Sequence, residues 1–166
     1  MATGETKERG VGEPPPPEPL VCWAELPIFA DMRLLPVVAA VIQRNGRVLI
    51  CRRPAHKRHG GLWEFPGGKM HDGESIADAI HRELREELHV APARVGRVRH
   101  AINDPGSPFL VQFVDVTITG EPRSTEHDAI AWVEPAQLWA YALAPSDRMC
   151  AALLPPILGH GELWPT

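Results

Sequence analysis

The sequence is poor in several features that would point to a particular kind of protein. Its three cysteines (Cys22, Cys51 and Cys150) are scattered and odd in number, so they show neither a disulfide framework nor a metal-site spacing. This usage favours a reducing compartment, and we expect a cytoplasmic protein. There is no apolar run long enough to span a bilayer, and the N-terminus lacks the pattern of a signal peptide. We therefore expect no association with membranes.

The charge balance is also unremarkable. The chain has 17 Lys and Arg against 21 Asp and Glu, a net charge of -4, which provides no general attraction to nucleic acids. Its eight histidines form no H-x-x-x-H or H-E-x-x-H pattern, so we interpret them as surface residues. A length of 166 residues, 44% hydrophobic and 23% charged, is typical of one soluble globular domain.

Composition divides the chain near Met32. Residues 1–31 begin with a Gly-, Glu- and Pro-rich stretch that includes Pro14–Pro17, which predicts a disordered N-terminal extension with a short polyproline II piece. Within it, the apolar residues of Trp23–Phe29 could also dock on the domain. Two interpretations remain open: a dispensable tail, or a translation start at Met32. We predict a folded domain over residues 32–160.

Hydrophobic periodicity and turn residues define the elements of this domain. Asn45-Gly46 predicts a hairpin turn, and Pro66-Gly67-Gly68 predicts a tight turn. We predict strands at Pro36–Ile42, Arg47–Cys51, Leu62–Phe65, Val95–Ile102, Phe109–Thr119 and Ala129–Val133. We predict helices after the cap residue Ser75, at residues 135–140 and at Ser146–Leu154. This order indicates the α/β class, with a mixed β-sheet between helices in an α/β/α sandwich.

The first predicted long helix carries an acidic cluster. Glu83, Glu86 and Glu87 stand at i, i+3 and i+4, so they share one helical face. Like charges at this spacing destabilise an isolated helix by roughly 0.2–0.5 kcal/mol per pair, which a bound cation would offset. Clustered carboxylates suit Mg2+ or Mn2+, ions that serve phosphate chemistry. The alternative is a solvated acidic helix face.

The residues around this cluster resemble the Nudix box, G-x5-E-x7-R-E-U-x-E-E-x-G-U, in which U is aliphatic. The matching positions are Gly68, Glu74, Arg82, Glu83, Leu84, Glu86, Glu87 and Val90. His89 departs from the pattern, because the family has glycine there to end the catalytic helix. His89 must therefore adopt a left-handed conformation or end the helix differently. The resemblance implies a Nudix fold and hydrolysis of a nucleoside diphosphate linked to another group.

Similarity beyond the box covers roughly residues 35–158. Cys51–Pro54, Leu62–Lys69 and Leu143–Asp147 resemble the MutT-like branch, and especially bacterial members that act on CTP, dCTP and modified pyrimidine nucleotides. The resemblance implies hydrolysis of a nucleoside triphosphate to a monophosphate and pyrophosphate. Two alternatives remain: 8-oxo-dGTP hydrolysis, a nucleotide-pool sanitation linked to DNA repair, and a non-catalytic nucleotide-binding module. We expect a small nucleotide as partner and either a monomer or a homodimer.

The resemblance also implies roles for individual residues. Expected ligands of Mg2+, or of Mn2+ as a substitute, are Gly67 through its carbonyl oxygen, Glu83, Glu86, Glu87 and Glu126. Glu83 is the expected general base, Arg82 is expected to orient it by an ion pair, and Glu74 is expected to tie the loop to the helix. Expected substrate-binding residues are Arg53, Arg58, Glu64, Phe65, Pro66, Gly67, Lys69 and Asp147.

Three of these assignments have simpler alternatives. Asp147 stands where 8-oxoguanine-specific members carry asparagine. Ionised aspartate offers only acceptors, which suits the exocyclic amine of cytosine as well as the amine or N7-H of an oxidised guanine. Asp147 could instead be a first-turn helix acid stabilised by the helix dipole. Glu126 could be an ordinary loop acid, and Arg53 an ordinary surface arginine.

Overall fold

The computed structural model describes residues 34–154. In these residues the elements are β1 (Leu35–Arg44), β2 (Arg47–Arg52), β3 (Trp63–Glu64), β4 (Gly67–Lys69), α1 (Ile76–Leu88), β5 (Ala91–Asn103), β6 (Phe109–Thr119), β7 (Ala129–Val133), a 3-10 helix (Pro135–Ala140) and α2 (Pro145–Leu153). The predicted extension at residues 1–31, with Trp23–Phe29, and the predicted domain end at residues 155–160 lie outside the described residues. The domain boundaries therefore stay a prediction.

The seven strands form one mixed sheet, as predicted. Its main order is β3-β2-β1-β6-β5, with β4 paired to β1 and β7 paired to β2. Strands β1 and β6 run parallel, whereas the other pairs are antiparallel. The predicted hairpin is confirmed, since Asn45 (φ 50°) and Gly46 (φ 74°) take left-handed conformations and connect the paired residues Arg44 and Arg47.

Side chains of β1 alternate between two cores, one on each face of the sheet. Val38, Ala40 and Ile42 pack with the apolar side of α1. Ala39 and Val41 belong to the opposite core, which includes Leu138 of the 3-10 helix and residues of α2. Because helices cover both faces, the α/β/α sandwich is confirmed. Each fully buried aliphatic side chain stabilises this arrangement by about 1.5–3 kcal/mol.

Helix α1 begins where its sequence predicts. The Ser75 side chain accepts a hydrogen bond from the Asp78 backbone N–H at 3.1 Å, which satisfies one free donor of the first turn. Ile80 and Leu84 are fully buried against the sheet. Their burial fixes the rotation of the helix about its axis and so determines where the neighbouring acids lie.

His89 ends α1 in the left-handed conformation, with φ 53° and ψ 32°. Its backbone N–H donates to the Arg85 carbonyl oxygen at 3.2 Å, and the Val90 N–H donates to that of Leu84 at 3.3 Å. Histidine is among the non-glycine residues that are enriched in this region of the backbone map. Of the two possibilities, His89 thus adopts the conformation of the glycine that it replaces.

Two predictions of local structure were inexact. Gly67 and Gly68 do not simply turn but form β4 with Lys69, because the glycine backbone pairs with Val37–Ala39 of β1. Strand β5 begins at Ala91 rather than Val95, because Ala91 pairs with Thr119 at the end of β6. The register of this β5–β6 pairing shifts at three places along β5. No helix in the described part of the chain is long and apolar enough to cross a membrane.

Candidate active site

A cavity of about 330 Å³ brings together most of the residues that the sequence singles out. The predicted site residues that line it are Arg53, Arg58, Glu64, Phe65, Gly67, Lys69, Glu83, Glu87, Glu126 and Asp147. Arg82, Glu86 and Pro66 are not part of its lining. Pro66 instead accepts a hydrogen bond from the Ala40 N–H at 2.8 Å, which ties this turn to β1.

Two glycines allow the backbone of β4 to pass beneath the acids of α1. A Cβ atom on Gly67 would lie 2.1 Å from the Val38 carbonyl oxygen, and the Gly67 φ of 151° disfavours any side chain. A Cβ atom on Gly68 would lie 2.3 Å from Glu83 Oε1. The Glu83 carboxylate therefore occupies the space that a side chain at Gly68 would fill.

Arg82 lies behind Glu83 and holds it, in agreement with the expected ion pair. Arg82 Nη1 donates to Glu83 Oε1 at 2.6 Å, while Nε and Nη2 donate to the two Glu74 oxygens at 2.9 and 2.8 Å. The Arg82 hydrogen bonds lower the pKa of Glu74 to about 2. Glu74 also accepts from the His71 N–H at 2.9 Å, so it links the loop to the helix as expected.

Glu87 is the most enclosed acid of the helix. Its Oε2 accepts a hydrogen bond from the Gly67 N–H at 3.0 Å. Burial, together with the charges of Glu64 and Glu83, raises the pKa of Glu87 to about 8 against the opposing effect of the Gly67 hydrogen bond. Burial also raises the pKa of Glu83, although Arg82 opposes that shift. A cation in this cavity would offset the repulsion between these carboxylates.

The loop that follows β6 carries Glu126 into the same cavity. Four hydrogen bonds attach it to the end of α1. Arg123 N–H donates to Leu88 O at 2.9 Å and Thr125 N–H donates to Glu87 O at 3.1 Å, while Thr125 Oγ1 donates to Glu86 O at 2.8 Å and to Glu87 O at 3.4 Å. These bonds satisfy helix carbonyl groups that have no partner within the helix. Glu126 is thus placed by the same helix that carries the other acids.

Lys57 and His127 are site residues that the sequence reasoning missed. Lys57 Nζ lies 2.8 Å from Glu126 Oε2, and this hydrogen bond lowers the pKa of Glu126. The interpretation of the histidines as surface residues is wrong for His127, whose ring is buried and places Nε2 at 3.3 Å from Glu64 Oε1 and 3.8 Å from Glu87 Oε1. Its Nδ1 is buried without a hydrogen-bond partner among the described residues. The position of His127 directly after Glu126 was the available signal.

Basic residues line the same cavity, and we call them its basic side, as we call the candidate cation ligands its acidic side. Arg53 pairs with Glu64 through Nη1 and donates from Nε to the Arg58 carbonyl oxygen at 2.6 Å. Arg58 Nη2 donates to Asp104 Oδ2 at 3.1 Å, a buried partner that the sequence reasoning also missed. Lys69 Nζ lies 4.9 Å from the centre of the Phe109 ring. Both arginine charges are thus paired with carboxylates of the lining.

Asp147 lines the cavity from the first turn of α2. Its Oδ1 accepts a hydrogen bond from the Phe65 N–H at 2.7 Å. Burial raises the pKa of Asp147 to about 8, more than the Phe65 bond lowers it. Burial thus favours the protonated carboxyl group, which carries a hydroxyl donor, over the ionised form. The sequence alone does not reveal this effect, because it does not show the depth of burial.

The donor set fits a hard divalent cation only after rearrangement. Within residues 34–154, no three His, Cys, Asp or Glu side chains are arranged to hold an ion. Glu83, Glu87 and Glu126 instead accept bonds from protein donors, although all three face one cavity and offer the oxygen ligands that Mg2+ and Mn2+ prefer. Glu86, with a 56% exposed side chain, is not part of the lining, and its Oε2 lies 3.7 Å from Arg82 Nη1.

Comparisons with known proteins agree with this geometry. The family model of the NUDIX domain matches residues 32–154 of this chain. The chain is 40% identical over 119 residues to the CTP pyrophosphohydrolase of Escherichia coli K12, covering 70% of this chain and 87% of that protein. It is 43% identical over 61 residues to the 8-oxo-dGTP diphosphatase of Proteus vulgaris, covering 36% and 54%. The crystal structure of the MutT NUDIX hydrolase from Burkholderia pseudomallei matches with a TM-score of 0.64 at 27% identity, covering 73% and 98%.

Proposed function

This chain belongs to the NUDIX family of hydrolases, and on that premise we propose that it is a Mg2+-dependent nucleoside triphosphate pyrophosphohydrolase. The products would be a nucleoside monophosphate and pyrophosphate. The observation that carries the proposal is a single cavity that is lined by both carboxylates and basic side chains. The carboxylates can hold a cation and the basic side chains can hold the phosphates.

The acids divide the chemical work in this proposal. Glu83, Glu87 and Glu126, with the Gly67 carbonyl oxygen, would hold the ion, which supplies an acidic water and offsets phosphate charge. Glu83 would accept the proton of the attacking water through Oε2, since Arg82 holds its Oε1. Glu86 would join the ligands from its exposed position by a change of rotamer.

The basic side would bind and orient the triphosphate. Arg53 and Arg58 carry planar guanidinium groups that form paired hydrogen bonds with phosphate oxygens. Lys69 adds a point charge from the end of β4. Orienting the chain of phosphates against the acids would direct water to one phosphorus atom and leave pyrophosphate as the departing group.

For the base, we propose pyrimidine nucleotides, CTP or dCTP, as preferred substrates. The similarity to the Escherichia coli CTP pyrophosphohydrolase, which covers most of both chains, supports this choice. The second candidate is 8-oxo-dGTP. It is supported by the similarity to the Proteus vulgaris diphosphatase and by the neutral Asp147 carboxyl, which offers a donor as asparagine does.

A substrate screen tests the proposal. Canonical, oxidised and methylated nucleoside triphosphates are incubated with the full chain and Mg2+, and pyrophosphate and monophosphate are quantified. We expect the highest kcat/KM for CTP or dCTP, and no release when Mg2+ is chelated. Preference for 8-oxo-dGTP would favour the second candidate. Tight nucleotide binding without hydrolysis would show a binding module and refute the enzyme.

The Asp147→Asn substitution tests base recognition. We expect the ratio of kcat/KM for dCTP over 8-oxo-dGTP to fall, by up to the roughly 1–3 kcal/mol of a base-specific paired contact. Because the pKa of Asp147 is about 8, the two side chains resemble each other at pH 7 and differ at pH 9, where wild-type Asp147 is ionised. The fall should thus be larger at pH 9. An unchanged ratio at both pH values would make Asp147 only a structural acid of α2.

A further inference from the structure

We propose that Lys57 competes with the divalent cation for Glu126 and, once displaced, binds the triphosphate of the substrate. This inference rests on the proposed function, since it assigns a phosphate-binding role to another residue of the same cavity. It gives one side chain two successive partners, so that cation binding and phosphate binding favour each other.

The contact itself is direct. Lys57 Nζ lies 2.8 Å from Glu126 Oε2, and both residues line the cavity together with Glu83 and Glu87. A carboxylate oxygen that accepts a lysine hydrogen bond has less capacity for a cation ligand bond, because both partners use the same lone pairs and charge. The cation must therefore displace the ammonium group to bind Glu126 through that oxygen.

Lys57 differs from the other basic side chains of the cavity in its partner. Arg53 pairs with Glu64, Arg58 pairs with Asp104, and Lys69 lies over the Phe109 ring. Among the four lysine and arginine side chains of the lining, Lys57 is the one that pairs with a candidate cation ligand. Displacement of Lys57 from Glu126 is thus the step that would couple the binding of the cation to the binding of the phosphates.

The surroundings allow the exchange. The Lys57 and Glu126 side chains are 40% and 47% exposed, and ion pairs this exposed contribute little to folding. The backbone at Lys57 is fixed, since its N–H donates to the Pro54 carbonyl oxygen at 3.0 Å. The flexible four-carbon stem can therefore reorient without moving the loop. The released ammonium group would remain in the cavity that Arg53 and Arg58 also line.

The first arm of the test measures cation binding alone. Calorimetric titration with Mn2+ is performed on the full chain and on Lys57→Gln, without nucleotide. We expect the Mn2+ dissociation constant to fall about two- to five-fold in the variant, because a weak competing ion pair is removed. Arg44→Gln is the matched control, since it breaks another exposed pair, to Glu121, with the same loss of charge. It should leave the constant unchanged.

The second arm measures phosphate binding with inorganic tripolyphosphate at saturating Mg2+. We expect Lys57→Gln to weaken this binding about three- to ten-fold, through loss of a charged hydrogen bond. Lys57→Arg, which keeps the charge, should restore most of the tripolyphosphate affinity. Equal thermal midpoints of the variants would confirm that the fold is retained.

Each outcome decides part of the proposal. An unchanged Mn2+ constant in Lys57→Gln, or no Mn2+ binding by the wild-type chain, overturns the competition. Tighter Mn2+ binding with unchanged tripolyphosphate binding overturns the transfer to phosphate. Neither arm measures nucleotide hydrolysis. A wild-type chain that hydrolyses no nucleotide would therefore refute the proposed function while both dissociation constants still decide the role of Lys57.

Discussion

The acidic side and the basic side of the cavity are built in different ways. Glu83 and Glu87 have side chains only 12% and 10% exposed, and each is held by Arg82 or by a backbone N–H group. On the basic side, Lys57 and Arg58 are 40% and 46% exposed and pair with other side chains. Glu83 and Glu87 are therefore held in place, whereas the more exposed Lys57 and Arg58 can adjust.

Removal of a buried carboxylate from the acidic side should lower kcat more than any other change considered. We expect Glu87→Gln to lower kcat by about a hundred-fold or more, since even partners one step removed from a metal typically matter 10- to 100-fold. The fold should persist, because glutamine can still accept the Gly67 hydrogen bond. Turnover and the thermal midpoint are the measurements, and the surface variant Glu121→Gln is the control.

A folded Glu86→Gln/Glu87→Gln protein with near-normal turnover would refute the assignment of α1 as the source of cation ligands. Comparison of the two single variants sharpens the difference between a buried and an exposed acid on one helix. A smaller loss in Glu86→Gln would agree with its exposed position.

Displacement of Glu83 without change to its chemistry should have the next largest effect. In Gly68→Ala the new methyl group would lie 2.3 Å from Glu83 Oε1, so the carboxylate must move. A shift of about 1 Å in a positioned group can cost on the order of 100-fold in rate, and we expect a 10- to 100-fold fall in kcat. In Gly120→Ala the methyl group meets nothing within 4 Å, so this control should strain the backbone and leave kcat unchanged. A normal kcat in Gly68→Ala would show that the Glu83 carboxylate can move without loss of activity, against this prediction.

A change on the basic side should be milder and should affect KM instead. Asp104→Asn removes the charge that holds Arg58, so Arg58 should sample more positions and KM for the nucleotide should rise about two- to five-fold at nearly constant kcat. Steady-state kinetics separates the two parameters. Ser107→Ala removes a different hydrogen bond to Asp104 Oδ2 and is the control. A fall in kcat as large as that of the α1 variants would remove the distinction between the two sides.

The smallest effect should come from the end of α1. Glycine in place of His89 relieves a left-handed conformation that costs roughly 1–2 kcal/mol, but it also gains freedom in the unfolded chain. We expect a net stabilisation of about 0.5–1 kcal/mol and unchanged turnover, measured by denaturant unfolding and kinetics. Asn45→Gly, at another left-handed position, should gain less, since asparagine adopts this conformation more readily. Lower turnover in His89→Gly would show that the helix end influences the acids.

The sequence predicts the acidic side better than the basic side, for a physical reason. Local spacing determines a helix face, so Ser75 and the acids of α1 could be located from the chain alone. The pairing of Arg82 with Glu83 was expected from the resemblance to the Nudix box rather than from spacing alone. The β4 pairing and the length of β5 could not be predicted, because they depend on partner strands that are distant in sequence.

Contacts across the cavity were the least predictable part of the site. Lys57 and Asp104 have no motif of their own, and each acquires a role only from a residue 69 or 46 positions away. The raised pKa of Asp147 was missed for a similar reason, since burial depends on the packing of α2 against the sheet. Residue type and spacing thus indicate which groups are present, and only the tertiary structure shows their charge and partners.

The four bonds between the Arg123–Thr125 segment and the end of α1 also determine where this loop can change in length. Extra residues at Gly120 or Glu121, both exposed and upstream of these bonds, would bulge into solvent and leave Glu126 in place. A single residue inserted between Thr125 and β7 would instead move Glu126 and His127 out of register with Glu87. Peptide tags, fluorescent labels or whole inserted domains therefore belong at Gly120, where the chain can be lengthened without disturbing the cavity.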